Sequence, residues 1–343
     1  MESYGIPQKF IDTIKQLYEG YSVRIEHNGS LSEKVEITTG VRQGCILSPT
    51  LFLIIIDWVM RQTQQRCGIQ WKVFEHLDDL EFADDICLIS NTREQMQQKI
   101  NALNNIDGKV GLKINKKKTK LMSMNKKNKN QKKLNVNGED LEEVEEFVYL
   151  GSVINNKGGT EQDVRTRIKK AQIAFGILNK VWRTNNISNR IKIRIFNSNI
   201  KSVLLYGAES WKTNKNMIQK LQSFTNKCLR KILKIYWPKV ISNKELWERT
   251  GQKTIGEEIL RRKWRWIGHT LRKGDNNIAK EALEWNPQGI RKRGRPVNTW
   301  RRSVLSEAKD IGKTWNQLKL EAKNRIRWKS TVAALCSKWN DSG

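Results

Sequence analysis

Histidine, cysteine and acidic residues are scarce in this chain. Three histidines and five cysteines occur among 343 residues. The cysteines are odd in number and scattered, and no pair shows zinc-site spacing. That argues against a structural zinc and a disulfide framework, and leaves a reduced intracellular protein as the simplest reading. Long hydrophobic runs are missing too. The apolar run Leu51 to Ile56 ends at Asp57, well short of the roughly twenty residues that a bilayer span needs. The N-terminus, MESYGIPQKF, has no signal-peptide shape. Acids number 35 against 64 lysines and arginines, a formal net charge of +29. That excess implies a polyanionic partner, nucleic acid first and an acidic membrane second.

Apolar residues make up 38% of the chain. A core is within reach, and the length suits about two domains. Ile6 to Tyr18 carries Phe10, Ile11, Ile14, Leu17 and Tyr18 at helical spacing, begun at Pro7 and closed by Gly20. Val23, Ile25, Val35 and Ile37 alternate around Asn28-Gly29, which predicts a hairpin. Ser48-Pro49 predicts a helix N-cap followed by a first-turn proline. Thr92 and Gln95 predict a capping box. Met96, Ile100 and Leu103 give the helix that follows an apolar face, and Gly108 or Gly111 ends it. This order predicts an α+β fold, with helices against one face of an antiparallel sheet.

Between Lys113 and Lys133 lie ten lysines and no acids, and between Glu139 and Glu146 lie six acids. Both runs read as solvated loops that screen one another. After Gly159 the chain turns mainly helical. Ile168, Ala171, Phe175, Leu178 and Trp182 form one stripe. From Ile241 onward the sequence is rich in tryptophan and arginine.

Within the stretch LEFADDICLI, Asp84 and Asp85 sit side by side between two apolar runs. Adjacent carboxylates repel and raise each other's pKa. Either the pair is a solvated turn, or it serves a divalent cation such as Mg²⁺, whose usual work is on phosphates. Three further stretches bear on the choice. Gly40-Val41-Arg42-Gln43-Gly44-Cys45 lies upstream. Gly111-Leu112-Lys113-Ile114-Asn115, with Lys118-Thr119-Lys120, lies downstream. Phe147-Val148-Tyr149-Leu150-Gly151 follows.

In this order the set resembles the palm of a reverse transcriptase, and most closely those of non-LTR (LINE-type) retrotransposons. The resemblance covers about Gly5 to Ile154, and the remainder resembles the thumb and C-terminal region of the same elements. It implies an incomplete polymerase-type palm over residues 1–154. A helical thumb over 155–240 and a basic, mostly helical C-terminal domain over 241–343 would follow. It implies that Asp84 and Asp85 are catalytic and hold Mg²⁺. Phe82 would border the primer end. Gln43 and Gly44 would shape the nucleotide and template pocket, and Lys118 would sit near the triphosphate. Phe147, Tyr149, Leu150 and Gly151 would grip the primer. An apolar strand is the plainer reading of that last segment, and a solvated lysine that of Lys118.

The family's third carboxylate lies on an earlier strand. Glu2 does not match that motif, and Asp12 and Asp57 lie on helices. The expectation is the C-terminal part of a longer polyprotein, inactive alone. The implied partners are an RNA template, a DNA primer or target and deoxynucleoside triphosphates, with no membrane. The implied compartment is the nucleus, with the cytoplasm second. The alternative is a non-catalytic, nucleic-acid-binding relic of a transposable element.

The C-terminal region has its own signals. Arg291, Arg293, Gly294 and Arg295, followed by Pro296, spell an extended basic segment suited to a narrow minor groove. A basic interhelical loop is the plainer reading of it. Trp264-Arg265-Trp266 and Arg327-Trp328-Lys329 interleave aromatics with cations, as stacking on single strands requires, although spaced tryptophans are usually core. His269 stands alone and reads as structural.

Overall fold

The computed structural model describes residues 1–71, 75–124, 133–156, 158–285 and 299–341. They divide into two compact units, Met1–Val144 and Glu145–Gly343.

The first unit mixes helices with short strands. Helix α1 (Gln8–Tyr18) starts after Pro7, as its spacing predicts. Its apolar stripe is used in part: Ile11 is buried, whereas Phe10 and Leu17 stay exposed. Strands β1 (Ser22–Val23) and β4 (Val35–Glu36) pair, and β2 (Glu26–His27) pairs with β3 (Ser30–Leu31) inside them. Asn28 and Gly29 form the two-residue turn, with φ of 49° and 76°. Those angles match the right-handed twist of the strands.

Helix α2 (Ser48–Thr63) follows, and one expectation fails at its start. Ser48 is not the N-cap. It is already helical, and its Oγ donates to the Arg42 carbonyl at 2.6 Å. Strands β5 (Ile69–Gln70) and β6 (His76–Leu77) precede β7 (Asp79–Phe82) and β8 (Asp85–Leu88). Helix α3 (Arg93–Lys109) opens with the expected Thr92–Gln95 capping box. Gly111, at φ 76°, carries the chain out of it, and the Leu112 amide bonds back to Asp107 at 2.9 Å.

Strands β9 (Lys120–Leu121), β10 (Asn135–Val136), β11 (Glu139–Asp140) and β12 (Glu142–Glu143) complete the unit. Here the lysine run and the acid run meet directly. Lys116 pairs with Glu139 at 2.6 Å, Lys133 with Asp140 at 3.0 Å, and Lys120 with Glu142 across the parallel β9–β12 pair.

Among the described residues every strand pairs with one other, so the wide antiparallel sheet expected from the sequence is not formed. The strands are two to four residues long, and several are exposed on both faces. A third strand would bury little there. Stability comes from helix packing: Ile56, Val59 and Met60 of α2 meet Leu103 of α3, and Ile100 joins Leu134, Val136 and Leu141.

The second unit opens with a hairpin, β13 (Glu146–Tyr149) and β14 (Ser152–Asn155), and is otherwise helical. Helices α4 (Glu161–Ile177) and α5 (Asn179–Arg183) share the predicted stripe. Trp182 stacks on Phe175 at 4.9 Å and donates its Nε1–H to the Phe175 carbonyl at 2.8 Å. Helices α6 (Asn189–Ile195) and α7 (Ser202–Leu204) are linked by one wider helical turn at Phe196–Lys201. Helix α8 (Lys215–Ile232) and α9 (Asn243–Thr250) complete this core.

A second core gathers on α10 (Ile255–Leu271), with α11 (Ile278–Glu284), α12 (Trp300–Asp310), α13 (Trp315–Ala322) and α14 (Arg325–Asp341) around it. Trp264 and Trp328 are buried in it. Their N–H groups are satisfied, by Glu307 Oε2 at 2.7 Å and the Trp264 carbonyl at 3.0 Å. They are therefore core residues, not stacking platforms. Trp266 lies edge-on to Trp300 at 6.1 Å, and His269 is exposed. Among the described residues no helix is long and apolar enough to cross a membrane.

Candidate functional site

The acidic pair lies at the tip of the β7–β8 hairpin. The register sets Asp79 against Leu88, Leu80 against Cys87, Glu81 against Ile86 and Phe82 against Asp85. The loop is therefore Ala83 and Asp84. A two-residue hairpin loop needs positive φ, which a side chain resists. Ala83 adopts it, at 55°. Strain of this kind persists where the surroundings enforce it, and it concentrates at functional sites.

Residues paired across strands share a face. Ile86 and Leu88 pack toward α2 and α3. Leu80, Phe82, Asp85 and Cys87 therefore share the other, open face. Phe82, Asp84 and Asp85 are all exposed. The adjacent acids are tolerated because both stand in water.

Asp79 and Glu81 share the helix-facing side. Partial burial there, the charge of Asp79, a hydrogen bond with Asp79 and the charge of Asp57 on α2 push the Glu81 carboxyl up to about 7. Burial raises Asp79 as well.

The base of the hairpin is locked from below. Lys99 of α3 is 2% exposed. Its ammonium donates to Asp78 Oδ1 at 2.6 Å, the Asp78 carbonyl at 3.1 Å and the Ile89 carbonyl at 2.6 Å. All three of its protons are used. Asp78 Oδ1 also accepts the amides of Cys67 and Gly68, both at 2.9 Å. Burial alone would raise the Asp78 carboxyl, but Lys99 and these amides hold it below its ordinary value. Gly68 must be glycine, since a Cβ there would lie 2.0 Å from the Leu77 carbonyl oxygen.

The Gln43-Gly44 loop is fixed through Arg42. The guanidinium lies 4.0 Å from the Tyr21 ring centroid and 5.2 Å from that of Tyr18, and it donates to the Leu17 carbonyl. With Ser48 holding the Arg42 carbonyl, the backbone is gripped on both sides of the turn. Gln43 and Gly44 then stand exposed, Gly44 at φ 85°. Lys118 is exposed on a turn whose amides bond back to Asn115 at 3.1 and 2.9 Å.

The segment Phe147–Gly151 belongs to the second unit. It forms β13 and the turn of a regular hairpin, Phe147 opposite Ile154 and Tyr149 opposite Ser152. The turn is Leu150-Gly151, with φ of 49° and 79°. Leucine is a poor resident for that conformation, and both turn carbonyls are held from outside. Arg167 Nη2 donates to Gly151 O at 2.6 Å, and the Tyr206 hydroxyl to Leu150 O at 3.1 Å. Arg167 lies over the Tyr206 ring at 4.3 Å. Asp163 accepts the Val153 amide at 3.0 Å and the Trp211 Nε1–H at 2.9 Å.

Residues 1–154 match the family model of reverse transcriptases, the RNA-dependent DNA polymerases. Two relatives of this chain are retrotransposon polymerases. One is the Pol polyprotein of a type-2 retrotransposable element of Drosophila melanogaster, 33% identical over 34% of this chain and 11% of its own length. The other is the RNA-directed DNA polymerase of the mobile element jockey of Drosophila funebris, 25% identical over 67% of this chain and 26% of its own. Residues 1–154 are thus similar to LINE-type reverse transcriptases. A transposon-derived protein of Caenorhabditis elegans is 24% identical over 75% of the chain and is itself 95% covered. The chain thus spans nearly all of the nematode relative and about a quarter or less of the two insect proteins. Residues 174–206 match a second family, described as a domain of unknown function.

Sequence reasoning singled out the tips of the two hairpins but missed what holds them: Lys99 and Asp78 in one unit, Asp163, Arg167 and Tyr206 in the other. Lys99 did leave a signal. It lies on the stripe of Met96, Ile100 and Leu103, where a free ammonium would not be tolerated. Arg291, Arg293, Gly294 and Arg295 lie outside the described residues.

Proposed function

We propose that this chain carries part of the machinery that copies RNA into DNA during transposition, working with an RNA template, a DNA primer and deoxynucleoside triphosphates. The observation that carries this reading is the Asp84-Asp85 hairpin tip within a segment that matches reverse transcriptases. Asp84 and Asp85 offer hard oxygen donors on an open turn. That donor set fits Mg²⁺, which commonly takes one or two carboxylates and completes its shell with water and phosphate. When bound there, the ion would supply Lewis-acid stabilisation for phosphoryl transfer.

The chain's own groups do the positioning. The strained Ala83 turn and the Lys99 clamp hold both carboxylates in one arrangement, so little reorganisation is left for the reaction. Phe82, beside Asp85 on the open face, offers a ring against the primer end. Gln43 and Gly44 offer an exposed backbone and amide to the incoming nucleotide and template. Lys118 offers a cation to the triphosphate. Phe147, Tyr149, Leu150 and Gly151 grip the primer on a turn fixed by Arg167. In this assignment residues 1–154 act as palm, 155–240 as thumb and 241–343 as a basic accessory region. The functional palm then includes a hairpin that folds with the helical unit. The Arg291–Pro296 segment would follow a minor groove, and the site of action would be the nucleus.

Among the described residues no group of three His, Cys, Asp or Glu side chains is placed to hold a metal ion. The test therefore supplies the strand and fingers of a related element at the N-terminus. The chimera should extend a DNA primer on an RNA template, and Asp84→Ala should abolish that extension. A folded chimera that binds primer–template but never extends it would refute the assignment of Asp84.

A further inference from the structure

We propose that the loop between α8 and α9 is a stacking site for unpaired bases of single-stranded nucleic acid, with Trp237 as the platform. The loop is built to present that ring. Ile235 and Ile241 pack on the core at its two ends. The Ile235 amide bonds back to Arg230 at 2.9 Å, and Arg230 reaches Asn243 Oδ1 at 2.8 Å and the Ile241 carbonyl at 3.3 Å. The Lys239 amide closes a turn onto the Tyr236 carbonyl at 2.8 Å. Between these anchors Trp237 is 87% exposed, Tyr236 59% and Val240 76%. Trp182, Trp211, Trp264 and Trp328 by contrast bury their rings. A fixed loop that holds an indole in water has no stability reason to do so.

Charge selects the occupant. From Glu209 to Glu245 the sequence has nine lysines and arginines and no acid between those two glutamates. Lys227, Lys234, Lys239 and Lys244 are exposed. An open groove of about 580 Å³ runs between α4 and α8, lined by the apolar Ile168 and Phe224 together with Asn216, Gln219, Lys220 and Lys227. Its amide and ammonium groups can face phosphates, and its apolar side chains can face bases. Exposed cations close to an exposed indole, as Lys234 and Lys239 are to Trp237 along the chain, are the combination that binds single strands without reading sequence. A duplex would use the cations but has no free base face for the ring.

The inference rests on the reading of the chain as a nucleic-acid protein. The test uses the full chain, a fluorescein-labelled thymidine 20-mer and a labelled 20-base-pair duplex, read by anisotropy. Trp237→Ala should weaken the single strand about tenfold, as loss of one stacked base predicts. Trp237→Phe should recover most of that, and duplex binding should not move. Truncating so exposed a ring leaves no cavity, so the thermal melt should match the parent. A 5-iodouracil probe should photo-crosslink to Trp237. Several results would overturn the site: equal single-strand binding by Trp237→Ala, an equal loss on duplex, a changed sedimentation coefficient marking a copy–copy contact, or loss confined to anionic vesicles. In each of these the parent's nucleic-acid binding survives and only the site falls. A parent chain that binds neither probe would overturn the functional reading as well.

Discussion

Replacing Lys99 by methionine should destabilise the first unit by about 3–5 kcal/mol, the usual cost of removing one partner from a buried ion pair. The magnitude follows from the geometry. The Lys99 and Asp78 side chains are 3% and 10% exposed, so water screens the pair very little. Methionine fills the volume, but Asp78 then keeps its charge without a cation, and two carbonyls lose their donor. A unit of this size has about 5–15 kcal/mol in total, so the loss is a large fraction. Urea unfolding read by circular dichroism gives the cost. Hydrogen exchange at the Cys67, Gly68 and Ile89 amides, which bond to Asp78, locates it. The pH dependence is a second check. The folded Asp78 carboxyl lies below its ordinary value, so its contribution is present above the unfolded pKa of about 3.9. It is lost as pH falls through the lower folded value. The gap between parent and Lys99→Met should therefore narrow below about pH 4. A difference under about 1 kcal/mol at neutral pH would place the pair in the class of surface salt bridges and refute the clamp.

Three other outcomes are expected. Glu81 titrates near 7 in the fold, so it ionises at a cost that grows between its unfolded pKa and about 7 and persists above. Glu81→Gln should leave stability at pH 5 nearly unchanged and raise it by about 1 kcal/mol at pH 8, after allowance for solvent screening; unchanged denaturation midpoints at both pH values would count against the Asp79–Glu81–Asp57 repulsion. Leu150→Asn should stabilise the second unit by about 1 kcal/mol, because asparagine accepts the left-handed conformation that leucine resists; a lower melting temperature would mean that the leucine side chain does more than fill the turn. Gly268→Ala should cost about 3 kcal/mol, since its Cβ would fall 2.0 Å from the buried Trp328 Nε1; a neutral effect by calorimetry would show that α14 can shift away from α10.

Much of the local structure was legible because its causes are local. Asn28-Gly29 forms its turn, and Thr92 and Gln95 their box, from neighbouring residues alone. The stripe from Ile168 to Trp182 was readable because helical periodicity reports burial directly. The N-cap at Ser48 misled for a physical reason. A serine hydroxyl can accept from its own helix or donate elsewhere, and here the Arg42 carbonyl takes it. The sheet misled because alternation predicts strands, not how many will pair. Strands such as Glu142–Glu143 have little apolar face to offer a neighbour.

The candidate site divides along the same line. Asp84, Asp85, Gln43 and Gly44 were visible as short motifs because their chemistry is carried by adjacent residues. Their supports were not, because each joins positions far apart in sequence: Lys99 to Asp78 across 21 residues, Tyr206 to Leu150 across 56. The two hairpins nevertheless share one solution. Each exposes a turn with a non-glycine residue at positive φ, Ala83 in one and Leu150 in the other. Each is held by a basic side chain at least 95% buried on a neighbouring helix that donates to its backbone carbonyls, Lys99 in one and Arg167 in the other. A strained turn survives only where such bonds outweigh its cost. The pairing of strain with a buried cation therefore marks both turns as positions where geometry, rather than stability, is being held.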